Sequence, residues 1–159
     1  MANKVSLEEM IPTIKESLAS GSSVSFTVTG NSMLPMLHHG IDTVTLSPVS
    51  GKLKKYDLPF YCRGDGKYIL HRIIKVGDDE YIIRGDNCDF IERGIKHDDI
   101  IGVVTAFTRN GISHSTNELS YRVYKHFWCN GFSYFIRKKI LLKSRVCLAR
   151  IYRKIFRKK

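Results

Sequence analysis

The chain has 159 residues, 43% of them apolar. That is enough for one packed domain plus a small appendage, and it excludes a disordered chain. No run of about 18 uninterrupted apolar residues occurs, so no membrane-spanning helix is written here. The formal charge of +11 is unevenly placed: residues 1–119 carry 13 Lys and Arg against 15 Asp and Glu, whereas 120–159 carry 13 basic residues and no acidic one. A near-neutral body with a cationic appendage follows.

In chain order, residues 6–20 read as a helix. Ser6 followed by Glu9 is a capping-box pattern, Pro12 falls inside, and Gly21 is a reasonable terminator. Met1 to Ser20 has no basic start followed by an apolar block, so a cleavable leader is not expected. From Ser22 the pattern turns to β. Val24 to Val28 alternates with period two, and Asp42 to Val49 and Leu58 to Arg63 read as further strands. Gly64-Asp65-Gly66 turns the chain into a long fourth strand, Lys67 to Val76. Glu80 to Arg84 and Ile100 to Thr108 follow, with Asn110-Gly111 closing a tight hairpin. About six short strands predict a mainly β, antiparallel body over 22–115, preceded by a helical lead-in at 1–21.

Over 116–159 the period changes to three and four. Tyr124, Phe127, Trp128, Gly131 and Phe135 recur at helical spacing, as do Leu148, Ile151, Tyr152 and Ile155, with Lys and Arg on the other face. Asn130-Gly131 would break this stretch into two helices. Cys62, Cys88, Cys129 and Cys147 are far apart, form no CxxC pair and share no ligand spacing with histidine. Free thiols in a reducing compartment are expected, with no metal site and no cofactor.

Three segments carry groups able to do chemistry. Ser32 lies in Gly30-Asn31-Ser32-Met33-Leu34-Pro35-Met36-Leu37, just after a strand. A serine on a tight turn can be exposed with backbone N–H groups nearby to hold an oxyanion; an ordinary turn serine has the same composition. His71 lies mid-strand in Tyr68 to Ile74, where imidazole has the pKa range of a general base; a hydrogen-bonded strand histidine is the commoner case. Arg84 to Gly94 supplies Asp86 and Glu92, either of which could orient an imidazole; the plainer reading is an Asx-rich loop. The other histidines read as surface or loop residues.

Taken in order, these segments resemble the signal peptidase/LexA superfamily of serine peptidases over about residues 22–108. Gly30 to Leu37 looks like the nucleophile box. Tyr56-Asp57-Leu58-Pro59-Phe60 resembles the segment before the base strand, with Tyr56 in place of the usual glycine. Tyr68 to Val76 looks like the base strand, and Arg84-Gly85-Asp86-Asn87 matches the Gly-Asp-Asn box. Bacterial signal peptidases carry lysine where this chain has His71, so the chain is similar to the Ser-His, endoplasmic-reticulum-type branch. The resemblance implies a compact antiparallel β fold of that type and a serine endopeptidase that processes a peptide or leader sequence. Ser32 would be the nucleophile and His71 the general base, with Asp86 or Glu92 as third member. Gly30, Asn31, Met33 and Pro35 would surround the oxyanion and the substrate. Gly30 stands where some relatives carry a serine donor.

Two other functions share this pattern. A LexA-type self-processing regulator would need an upstream cleavable bond and a DNA-binding domain, which residues 1–21 do not supply; a non-catalytic peptide-binding module would keep the fold without turnover. Membrane-embedded relatives carry an N-terminal transmembrane helix, which this sequence lacks. The amphipathic stretch 120–159 could instead lie on an anionic membrane surface, giving a cytoplasmic protein peripheral to the inner face of the membrane. Nucleic acid is a weaker expectation, because the apolar stripe suits lipid better than a groove.

Overall fold

A computed structural model describes residues 7–129. The chain divides into a compact unit ending at Arg122 and a second beginning at Val123. The expected helix break at Asn130-Gly131, Cys147 and most of the cationic stretch lie outside the described residues, as does Ser6 of the expected capping box. Among the described residues, no helix is long and apolar enough to cross a membrane, and no group of three or more His, Cys, Asp or Glu could hold a metal ion.

The first helix, α1 (Leu7–Ala19), runs through Pro12. It ends where Gly21 was expected to end it: the N–H groups of Gly21 and Ser22 return to the carbonyls of Leu18 and Ser17 at 3.0 and 2.9 Å, a Schellman arrangement. Ile11, Ile14 and Leu18 are buried. Their spacing puts them on one helical stripe, and α1 packs on strands β1 (Val24–Thr27) and β8 (Ile100–Arg109).

Among the described residues, nine strands form two antiparallel sheets, so this part of the chain is mainly β. Besides β1 and β8 they are β2 (Thr43–Ser47), β3 (Pro59–Cys62), β4 (Tyr68–Leu70), β5 (Arg72–Val76), β6 (Tyr81–Arg84), β7 (Glu92–Ile95) and β9 (Ile112–Ser115). The larger sheet has the order β1-β2-β8-β3-β4, with β9 also on β8; the smaller is β5-β6-β7. Alternation locates the buried face in β2, where Val44 and Leu46 are buried between half-exposed neighbours. The β8–β9 turn has both Asn110 (φ 51) and Gly111 (φ 77) in the left-handed region, the geometry that matches strand twist in a two-residue hairpin.

The long fourth strand expected over Lys67–Val76 is instead two strands in different sheets. Tyr68–Leu70 pairs with β3 and Arg72–Val76 with β6. The chain passes from one sheet to the other at His71. Apolar residues continue on both sides of the crossing, so the sequence pattern gives no mark of it. The sequence predicts a loop at β7, because Glu-Arg-Gly-Ile lacks a run of β-forming side chains; pairing with β6 makes it a strand.

Tyr61 from β3 packs with Ile73, Ile83 and Ile95 from the smaller sheet and with Leu53 and Tyr81. This cluster joins the two sheets. Each fully buried aliphatic side chain there contributes about 1.5–3 kcal/mol. The last buried member of the first unit is Tyr121 in α2 (Leu119–Cys129), whose ring lies 5.5 Å from Phe107 of β8.

Candidate active site

Three separate stretches meet where β4 passes into β5. The first is the turn after β1. Within it, Leu34 N–H donates to the Asn31 carbonyl, and Met36 and Leu37 N–H donate to the Met33 carbonyl. Met33, Met36 and Leu37 are buried and anchor the turn, while Ser32 is half-buried and Asn31 exposed. The N–H of Gly30 is occupied by His39 Nδ1 at 2.9 Å, so it is not free to serve an oxyanion. Those of Ser32 and Met33 make no hydrogen bond among the described residues.

The second stretch is the loop after β6. Asn87 clamps it to the serine turn: its N–H donates to the Ser32 carbonyl at 2.8 Å and its side-chain amide to the Asn31 carbonyl at 3.1 Å. Gly85 is the closest point of approach. A β-carbon there would stand 2.7 Å from Cys88 Sγ, 2.8 Å from the Ser32 carbonyl oxygen and 3.0 Å from His71 Nε2. Glycine is therefore required for packing, and its neighbours show that the His71 ring and the serine turn face the same small volume.

The third stretch is His71-Arg72. The His71 side chain is 4% exposed, and its Nδ1 lies 2.8 Å from Glu92 Oε1. An ionised carboxylate only accepts, so Nδ1 carries the proton and the neutral ring keeps its lone pair on Nε2. Glu92 is itself held by Arg63, whose Nε donates to Oε2 at 2.8 Å. Burial lowers the His71 pKa below its ordinary value, outweighing the opposing pull of Glu92, so the imidazole is neutral at pH 7. Burial alone would raise the Glu92 pKa, but hydrogen bonding by Arg63 and the charges of His71 and Arg63 hold it below the ordinary range. The buried Tyr61 hydroxyl is pushed upward by desolvation and by the Glu92 charge. Phe90, 54% exposed, sets its ring edge-on to His71 at 6.2 Å.

Asp86 goes elsewhere. It takes a two-pronged ion pair from Arg72, at 2.8 Å from Nε and 2.7 Å from Nη2. Arg72 is fully buried, and its remaining donors reach the Tyr56 carbonyl, the Tyr121 hydroxyl and Met36 Sδ. The two acidic candidates are thus separated by partner: Glu92 holds the imidazole and Asp86 holds the neighbouring guanidinium.

Ser32 and His71 line one cavity of about 90 Å³ together with Gly30, Met33, Phe26 and Leu7; Asn31 and Pro35 are not among its lining residues. Among the described residues no hydrogen bond runs from the Ser32 hydroxyl to the His71 ring. Catalytic contacts are often long before substrate binds. Cys88, beside Gly85, has its thiol pKa raised by burial, which disfavours the reactive thiolate.

Sequence reasoning missed Arg63, Tyr61, Tyr121 and Leu7 at or beneath this site. Arg72 carried a signal: a charged residue in an apolar run demands a buried partner. The others have none, because they reach the site through tertiary packing alone. Neither a protein-family model nor a curated protein matches the sequence.

Proposed function

We propose that the protein is a serine endopeptidase of the signal peptidase-like type, acting on an extended peptide. Ser32 attacks the scissile carbonyl while neutral His71 takes its hydroxyl proton through Nε2. The free N–H groups of Ser32 and Met33 are the available oxyanion donors. His71 then gives the proton to the leaving amine, and Glu92 steadies the imidazolium that forms in between. Water repeats the cycle on the acyl-enzyme.

The observation that carries this reading is the polarity of the His71 ring. Nδ1 is fixed on Glu92, and Nε2 is turned to the volume that the serine turn also borders. Tyr56 adds support for the resemblance. It stands where the superfamily has glycine, and its φ of 77° lies in the left-handed region that glycine favours.

The test is cleavage of a peptide library by the wild type, Ser32→Ala and His71→Ala. Each variant is expected to lose about three orders of magnitude or more in kcat. Unchanged cleavage by both would overturn the proposal.

A further inference from the structure

We propose that His39 is a positioning residue for Ser32: its ring ties down Gly30, the loosely packed entry to the turn that carries the hydroxyl. This rests on the peptidase reading and adds a residue outside its catalytic group.

The serine turn is anchored at its far end by buried Met33, Met36 and Leu37 and on one flank by Asn87. Its entry is the soft point. Gly30 is exposed, has a φ of 85°, and a β-carbon there would meet nothing within 4 Å. Packing therefore does not hold it, and glycine has more backbone freedom to lose than any other residue. The one hydrogen bond that Gly30 makes among the described residues runs from its N–H to His39 Nδ1 at 2.9 Å, nine positions along the chain. Nδ1 accepts here, so the neutral His39 ring carries its proton on Nε2, the opposite tautomer to His71.

His39 can serve as a fixed post because its own turn is braced. The N–H and Nδ1 of neighbouring His38 both donate to Asp42 Oδ2, at 2.8 and 2.9 Å, and the Asp42 side chain is fully buried. Below this, Val28 N–H donates to the Asp42 carbonyl at 3.0 Å and Gly40 N–H donates to the Val28 carbonyl at 2.9 Å. The His39 ring adds the next rung, a side chain bridging the two segments beyond the end of the β1–β2 ladder. Without that rung, the chain would pivot at Gly30, two residues before the hydroxyl. The bond lies at the exposed surface, outside the core. Its loss should therefore leave the fold intact and fall on the reaction geometry, where small displacements are costly.

The experiment compares the full chain as wild type, His39→Ala, His39→Asn and Ser32→Ala. Asparagine offers a side-chain oxygen near the place of Nδ1 and so keeps the acceptor. Solvent exchange of the Gly30 amide, read by NMR, should be about tenfold faster in His39→Ala and close to wild type in His39→Asn. The Ser32 amide resonance should be displaced in the first variant and restored in the second. For a peptide that the wild type cleaves, His39→Ala should lower kcat about tenfold with KM held, and His39→Asn should recover most of it. Unchanged Gly30 exchange in His39→Ala, or the same loss in both His39 variants, overturns the inference even where cleavage depends on Ser32. Normal kcat in His39→Ala beside Ser32-dependent cleavage overturns it too. A displaced and restored Ser32 resonance with no Ser32-dependent cleavage upholds the clamp and overturns the hydrolase reading.

Discussion

His71 and Arg72 are adjacent in sequence and both buried, yet among the described residues one keeps a ring nitrogen without a hydrogen bond and the other has its donors engaged. Arg72 has donors directed to Asp86, Tyr56, Tyr121 and Met36. It is a saturated charge, and its ion pair bridges the β5 strand to the loop after β6. His71 has one ring nitrogen held by Glu92 and the other left facing the cavity. The contrast teaches how Asp86, in the loop after β6, and Glu92, at the start of β7, divide their work: a fully satisfied partner gives rigidity, and a half-satisfied one leaves a lone pair.

The most severe way to break this comparison is on the saturated side. Asp86→Ala leaves a buried guanidinium without its counter-charge and should destabilise the fold by about 3–5 kcal/mol in urea unfolding; a loss below about 1 kcal/mol would show that the pair is not structural. On the other side, Glu92→Gln keeps the shape and removes the charge. We expect kcat to fall about a hundredfold or more while the urea midpoint moves far less than for Asp86→Ala. Equal effects of the two variants on stability would erase the distinction.

The pH dependence sharpens it further. Burial holds the folded His71 pKa below the ordinary 6.5. The contribution of this residue to stability is therefore full above pH 6.5 and is lost as pH falls through the folded value. Activity follows the same direction, so the acid limb of kcat/KM should lie below pH 6.5. Glu92→Gln removes a charge that favours imidazolium and should move that limb lower still. NMR titration of the His71 ring reads both values directly, and an upward move in Glu92→Gln would contradict the arrangement. The smallest effect is at the rim of the saturated network: Tyr121→Phe deletes the 2.7 Å bond to Arg72 and should cost about 1–2 kcal/mol, leaving the His71 titration in place.

Much of the β body was legible because β1 and β2 alternate between turn residues, while β3 and β8 are runs rich in β-forming side chains. The sheet crossing at His71 was not, since Ile69, Leu70 and Ile73 continue the apolar run on both sides of it. Ser32 and His71 could be named from the order of their segments. The choice between Asp86 and Glu92 could not be made, because it depends on β7, whose Glu-Arg-Gly-Ile composition hides a strand. Once β7 pairs with β6, Ile83 stands opposite Glu92, and Glu92 meets the imidazole. Tyr56 shows the reverse case: its residue type conceals a left-handed backbone that only the coordinates display.

The Asn87 clamp joins residues 56 positions apart, and the His71–Glu92 and Arg72–Asp86 contacts join residues 21 and 14 positions apart. Closing such loops is slow, and it comes to completion only as distant strands find each other. A chain still emerging or half-collapsed would hold its hydroxyl and its imidazole in separate pieces. Under the proposed function, hydrolytic competence would then arrive only with the finished architecture.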